Sequence, residues 1–213
     1  MMPENTYLRL LEGNRKFVED KLSNDPTFFD KLAHTQKPEF LWIGCADSRV
    51  PADQITGTNP GEIFVCRNIA NLVVHTDMAL LSVLDYAVNA LKVKHIVVCG
   101  HYGCGGVKAA MGRIEHGILD NWVRNIKDVY RLHHVELDAI TDEDSRWRRL
   151  VELNVMEQAY NVCKTSIVQN AWESGDLPHV HGWVYDVANG KIKELSVDYK
   201  SSTQFKNIYQ FDA

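Results

Sequence analysis

The sequence predicts an α/β fold: a central, mostly parallel β-sheet with an antiparallel edge strand, flanked by helices and preceded by an N-terminal helical arm. Three observations carry that prediction. Residues 40–44, 62–66 and 95–100 are short apolar runs without polar alternation, the pattern of strands buried on both faces. Between the second and third, Leu80, Val83, Leu84, Ala87, Val88 and Leu91 recur at helical spacing after a Thr76-Asp77 start signal. Late in the chain, Asn189-Gly190 separates two strand-like stretches by a tight turn, which makes the last one antiparallel.

Taken in order, the first 35 residues read as two helices. Tyr7, Leu10, Leu11, Asn14, Phe17 and Val18 form one stripe, and Asp25-Pro26 opens a second segment with Phe28, Phe29 and Leu32. The three strands and their intervening helix follow. Ile118, Trp122, Ile126, Val129 and Leu132 mark a further helix. Residues 136–149 are charged and read as a loop leading into a helix, whose apolar positions are Leu153, Met156, Ala159, Val162 and Ile167 and whose end lies near Gly175. A fourth strand covers 179–187, and 192–197 forms the edge strand. No repeat and no Ser/Gly-rich linker interrupts the pattern, so residues 1–213 are expected to form a single domain with 1–35 as its arm.

Composition excludes several classes. With 45% hydrophobic and 24% charged residues, the chain has enough apolar surface to offset its ordering entropy and is not a disordered one. Thirteen glycines and six prolines are too few for a collagen-like protein. A net charge of −5 offers no broad attraction to a phosphate backbone, so no nucleic-acid partner is expected. The basic run Arg146, Arg148, Arg149 reads as a solvated helix face. The longest weakly charged stretch, 78–91, contains Asp85 and is too short to span a bilayer, and no secretory or lipidation signal is visible. Five cysteines, an odd number in a chain this long, do not form a disulfide framework. A reduced, cytoplasmic protein is the expectation.

The chemistry collects at strand ends. The first strand runs into Gly44-Cys45-Ala46-Asp47-Ser48-Arg49, the second into Cys66-Arg67-Asn68, and the third into Gly100-His101-Tyr102-Gly103-Cys104-Gly105-Gly106. If the strands are parallel, these endings share the carboxyl edge of the sheet, where open α/β sheets bind ligands. His101-x-x-Cys104 on a glycine-rich turn lets both side chains face one ion. A third soft ligand from another strand makes a Cys₂His set suited to zinc, and three protein ligands leave the open position of a catalytic site. The residues alone leave Cys45 and Cys66 as alternatives for that ligand, and Asp47 as a potential fourth. Cys99 and Cys163 read as packing residues. The glycine-rich turn fits neither a Gly-x-Gly-x-x-Gly fingerprint nor a P-loop.

Cys45-Ala46-Asp47-Ser48-Arg49 followed by His101-Tyr102-Gly103-Cys104-Gly105-Gly106 resembles the β-class carbonic anhydrases over roughly residues 25–197. The resemblance implies Zn²⁺ on Cys45, His101 and Cys104, leaving Cys66 out, and reversible hydration of carbon dioxide to bicarbonate and a proton. It implies that Asp47 and Arg49 form a catalytic dyad: with Asp47 held by Arg49 the site is open, and with Asp47 on the metal it is closed and inactive, a state favoured by low pH and bicarbonate. Trp42, Arg67 and Tyr185 match the bicarbonate-regulated bacterial (type II) subgroup, and there they hold the regulatory bicarbonate. Homodimers, paired into a dimer of dimers, are implied as well.

Residue chemistry is consistent with that reading. Zinc lowers the pKa of a bound water to about 7 in favourable sites. Two thiolates offset the metal's charge, so help from neighbouring groups and an activity rising with pH are expected. Four histidines, His133, His134, His179 and His181, could carry protons. Two other readings share the scaffold: a hydrolase of carbonyl sulfide or carbon disulfide, and a structural zinc protein or bicarbonate sensor permanently closed by Asp47. A thiol oxidoreductase lacks the Cys-x-x-Cys pair it needs.

Overall fold

Five strands form one sheet in the order β2-β1-β3-β4-β5: Phe40–Cys45 (β1), Ile63–Asn68 (β2), His95–His101 (β3), His179–Asp186 (β4) and Lys191–Tyr199 (β5). The computed structural model describes residues 6–175, 177–205 and 209–210. β2, β1, β3 and β4 run parallel, and β5 is antiparallel to β4 after a turn at Gly190, whose φ of 73° is the left-handed value glycine adopts without strain. The predicted strands are all present, each within two residues of its expected bounds. The parallel register places Gly44 beside Arg67 on one side and Cys99 on the other, so the carboxyl ends of β1, β2 and β3 are level.

The two faces of the sheet differ. One face, with Leu41, Ile43, Ile96, Val98, Val180 and Val184, belongs to the main core. Helix Glu143–Cys163 (α8 in chain order) buries Leu150, Val151, Val155, Ala159 and Val162 in the same core. The opposite face carries a smaller cluster of Trp42, Ala52, Val97 and Cys99, with Trp183 and Tyr185 packed on it.

The helices are Leu8–Asn24 (α1), Phe28–His34 (α2), Ala52–Thr56 (α3), Met78–Asp85 (α4), Gly105–Met111 (α5), Leu119–Leu132 (α6), His134–Ala139 (α7), α8 and Ser166–Glu173 (α9). Asp77 caps α4 by accepting from the N–H groups of Ala79 and Leu80, as the start signal predicts. The predicted helix over 76–91 is regular only to Asp85. Residues 86–90 widen into a turn closed by the Leu91 N–H on Tyr86 O, five residues back. The helix expected to run to Gly175 breaks at Lys164-Thr165, where the Thr165 hydroxyl caps α9. α7 overlaps the start of the charged segment 136–149, whose beginning is expected to be a loop.

By contacts the chain divides into two compact units, Met1–Gln36 and Lys37–Ala213. In the first, Asp25 ends α1 and accepts from the Thr27 N–H and hydroxyl, turning the chain into α2. Phe29 packs edge-on to Phe17 and Phe28. Neither helix has a buried residue. Among the described residues no helix is long and apolar enough to cross a membrane.

Candidate metal centre

β1 ends in Cys45, β3 ends in His101, and the turn at Gly103 (φ 75°) returns the chain so that Cys104 precedes α5. Their ligand atoms lie within 4.8 Å of one another and all three residues are buried. Cys45 Sγ and Cys104 Sγ are 3.9 Å apart. Two thiolates on a tetrahedral zinc, at about 2.3 Å each, sit about 3.8 Å apart. His101 Nδ1 lies 3.0 Å from the Tyr102 carbonyl oxygen. That oxygen can only accept, so the proton is on Nδ1 and the lone pair is on Nε2. Nε2 is buried without a hydrogen-bond partner. An orphaned imidazole lone pair beside two thiols is the donor set of a zinc site, and these residues fit the ion. Cys66 packs on the main core from β2 and is not in the group.

Hydrogen bonding makes the two thiols unequal. Cys104, as donor, pulls Cys45 down, helped by the Ala70 N–H at 3.4 Å. Cys104 is pushed up, first by that same contact and then by burial. Two anions at this separation repel, and only a cation between them allows both to ionise. Burial is the main cause that raises Cys99 and Cys163, as suits packing residues.

Asp47 stands beside this group, held by Arg49. The guanidinium Nε donates to Asp47 Oδ1 at 2.9 Å and Nη2 to Oδ2 at 2.7 Å, while the Arg49 backbone N–H adds a third bond to Oδ1. This two-point fork holds the carboxyl well below the usual carboxylate range, against a partial burial that opposes it. Asp47 Oδ2 is 3.6 Å from His101 Nε2. The carboxylate is therefore at the metal position's edge but bonded away from it.

Trp42, Arg67 and Tyr185 lie on the smaller face. Trp42 and Tyr185 share the cluster there, together with Trp183, whose indole Nε1 is buried without a partner. Arg67 is occupied: its Nε donates to Cys45 O at 2.9 Å and its Nη2 to Asp47 O. It thus ties down the backbone of a candidate ligand and of its neighbouring carboxylate. It also borders a cleft of about 340 Å³ with Pro51, Asp53, Ile63 and Val65.

Several supporting residues escape sequence reasoning. Ala70 and Asn71 adopt left-handed backbone (φ 64° and 49°), which asparagine tolerates but which costs the alanine roughly 1–2 kcal/mol. That conformation aims the Ala70 N–H at Cys45 Sγ. From α8, Asn154 donates to Ala70 O, Gln158 accepts from the Val73 N–H, and Asn161 donates to Val73 O. Also from α8, Glu152 accepts from the Tyr102 hydroxyl, whose residue supplies the carbonyl for His101. The only available signal is that Asn154, Gln158 and Asn161 recur at i, i+4 and i+7, an amide stripe among the apolar positions of the second half of α8. The basic run departs from a solvated face: the Arg148 guanidinium stacks 3.6 Å from the Tyr102 ring, and Arg149 bridges Glu136 and Glu152. Arg148, Tyr102 and Arg49 line a cleft of about 480 Å³ next to the Asp47 fork.

The histidines do not gather at the centre. His179 and His181 lie with His95 at the amino end of the sheet, His95 Nδ1 being 3.1 Å from His181 Nε2. Six residues of strand separate His95 from His101, about 20 Å. His133 pairs with Glu157, and His134 with Arg131 O.

Comparison with known proteins agrees with this geometry. The family model described as carbonic anhydrase matches residues 40–192. The carbonic anhydrase of Emericella nidulans is 55% identical over 196 residues, covering 92% of this chain and 86% of its own. That of Pseudomonas aeruginosa is 35% identical, over 87% and 86%. Among solved structures, one of two β-carbonic anhydrases of Sordaria macrospora described as tetrameric superposes with a TM-score of 0.88 at 44% identity, covering 92% of this chain and 99% of that one. The Coccomyxa β-carbonic anhydrase bound to acetazolamide gives 0.90 at 40%, covering 95% and 91%.

Proposed function

The chain belongs to the β-class carbonic anhydrase family, and from that premise we propose that it hydrates carbon dioxide reversibly at a zinc held by Cys45, His101 and Cys104, with Asp47 and Arg49 controlling access to the metal. The observation that carries this reading is the orphaned His101 Nε2 between two thiols, with a fork-held carboxylate 3.6 Å away. When bound, the zinc supplies the Lewis acidity that makes water a nucleophile near neutral pH.

The chain's own residues do the rest. Arg49 keeps Asp47 ionised and bonded to itself, so a zinc held by Cys45, His101 and Cys104 would keep a place for water. An ionised Asp47 is an acceptor only. It takes a hydrogen bond from the reacting water and orients the oxygen lone pair toward carbon dioxide; because Arg49 holds it well below the usual carboxylate range, it stays ionised and the proton that must leave goes on to solvent buffer. In reverse, Asp47 accepts the hydrogen bond of the bicarbonate hydroxyl. The pull of Arg49 on Asp47 thus separates an open from a closed arrangement, because a carboxylate released from its fork is near enough to become the fourth ligand.

Trp42, Arg67 and Tyr185 are proposed to bind the regulatory bicarbonate, as in the regulated subgroup, although the Emericella and Sordaria relatives are fungal rather than bacterial. In the present arrangement Arg67 is spent on the Cys45 and Asp47 carbonyls. An anion drawing the guanidinium away would free both and loosen the Asp47 loop. The unpartnered Trp183 indole offers a further donor in the same cluster. A differential affinity for the closed state is all such a ligand needs to inhibit.

A dimer pairing into a tetramer is proposed for the assembly, with residues 1–35 as an arm of one domain. Exposed Leu8, Leu10 and Leu11 on α1, with Tyr7 just before it, supply apolar surface for a second copy. Five free cysteines suit a reducing, cytoplasmic location.

Stopped-flow carbon dioxide hydration by zinc-quantified protein tests the reading. The expected result is a metal-dependent rate that rises from neutral to alkaline pH and is inhibited by added bicarbonate, with Tyr185→Phe weakening that inhibition. No hydration at full zinc occupancy would overturn the enzymatic assignment of this site and favour a permanently closed zinc protein.

A further inference from the structure

Zinc ligands usually depend on neighbours that orient them. The three amides on the inner face of α8 have no evident purpose in packing. Asn154 and Gln158 are each 1% exposed in a helix whose other buried positions are mostly aliphatic. Burying an amide is unfavourable unless its hydrogen bonds are met. Here they are met almost entirely by one stretch of backbone. Asn154 Nδ2 donates to Ala70 O at 3.1 Å, Gln158 Oε1 accepts from the Val73 N–H at 2.8 Å, and Asn161 Nδ2 donates to Val73 O at 3.2 Å. The amides also bond one another: Gln158 to Asn154 at 3.1 Å and Asn161 to Gln158 at 3.2 Å. Each member fixes the next.

The segment they grip is the strained one. From the other side, the Asn68 side chain closes residues 68–72 by bonding both Leu72 N and Leu72 O. Trp122 Nε1 donates to Ile69 O at 2.8 Å. The product of this clamping is one backbone donor, the Ala70 N–H, directed at Cys45 Sγ. A left-handed alanine held by a buried amide ladder persists only when its surroundings over-determine it.

We propose that Asn154, Gln158 and Asn161 are positioning residues for the metal: they hold the Ala70 N–H on Cys45 and so set both the placement and the donor strength of that thiolate. The inference rests on the assignment of Cys45 as a zinc ligand. An N–H bond on a thiolate draws electron density from it, as hydrogen bonds to sulfur do in iron–sulfur centres. Without it Cys45 becomes a stronger donor to the ion and a less fixed one.

The test substitutes Asn154→Leu, removing the bond to Ala70 O, and compares it with Val155→Ala, which weakens packing of the same helix without touching the ladder. Two quantities are read on refolded or purified full-length protein: zinc affinity by competition with a chromophoric chelator, and the thiolate-to-metal charge-transfer band of the cobalt(II)-substituted form. Asn154→Leu is expected to lower zinc affinity about 10–100-fold and to move the charge-transfer band to longer wavelength. Val155→Ala is expected to lower thermal stability and leave both readings unchanged. Wild-type affinity and band position in Asn154→Leu, or the same shifts in Val155→Ala, overturn the proposal. If Asn154→Leu does not fold, Asn161→Ala, at the half-buried end of the ladder, decides by the same two readings. Cys45→Ser separates the two levels. If it keeps zinc, the ligand assignment fails and this inference with it. If it loses zinc while the ladder variants behave as wild type, the ladder inference alone fails.

Discussion

On the proposed reading, Asp47 controls the site. Asp47 has two oxygens and both are committed to Arg49. Asp47→Asn keeps the shape but removes the charge that the guanidinium holds and turns one of the two acceptor oxygens into a donor. Its zinc content should match wild type, because three ligands remain. Its kcat/KM should fall by about 10²–10⁴, the usual contribution of a positioned acid or base. Arg49→Ala should fall as far by a different route, since a freed Asp47 can close the site. The two are told apart by adding Asp47→Ala to the Arg49 variant, which removes the closing ligand. Equal zinc-normalised stopped-flow rates for Asp47→Asn and wild type would sink the dyad. The ligands themselves give a simpler outcome: Cys104→Ser should lose most of its zinc by elemental analysis, together with its activity.

At the scale of elements, glycine at strand ends is what lets α8 approach the sheet. A Cβ on Gly100 would lie 2.6 Å from Val155 Cγ2 and 3.3 Å from Asn71 Oδ1. Gly100→Ala should therefore destabilise the protein by about 1–3 kcal/mol through overpacking. Val155→Ala removes the clashing methyl, so the double variant should recover part of the loss. Urea denaturation at fixed protein concentration reads both, and a fully additive pair would show that the clash is relieved elsewhere. The strands around this glycine were legible because buried parallel strands are written as unbroken apolar runs. Parallel order alone brought Cys45, Cys66, His101 and Cys104 to one sheet edge, and the choice of Cys45 over Cys66 needed the family resemblance. Other parts were not legible, for definable reasons. α3 and α5 are too short to show a period. The first two turns of α8 are charged and half-solvated, so its start at Glu143 resembles a loop. The amides at 154, 158 and 161 have meaning only against the backbone of 69–73, more than eighty residues away. That pairing is long-range information that no local pattern contains.

Across the whole molecule, one buried acid joins the parts. Glu152 on α8 accepts from the Tyr102 hydroxyl at the end of β3, from Arg149 on its own helix, and from Lys193 on β5. Burial pushes this carboxyl up, but Lys193, Tyr102 and Arg149 together pull it below its ordinary value. A carboxyl whose pKa is depressed by folding stabilises the protein fully above its unfolded value, and loses that contribution as pH falls through the folded value. Glu152→Gln should thus be less stable than wild type by about 1–3 kcal/mol near neutrality, the scale of hydrogen bonds to a charged group. The gap should narrow as pH drops through the carboxylate range and wild-type Glu152 takes up its proton. Urea midpoints of both proteins across that range, at one protein concentration because assembly adds its own stability, give the answer. A gap independent of pH would mean that Glu152 acts through shape rather than charge. The same titration should reach the metal. Tyr102 gives its hydroxyl to Glu152 and its carbonyl to His101 Nδ1, so loosening one end frees the other. Zinc release to a chelator should accordingly be faster in Glu152→Gln than in wild type near neutrality, and the two rates should converge in acid.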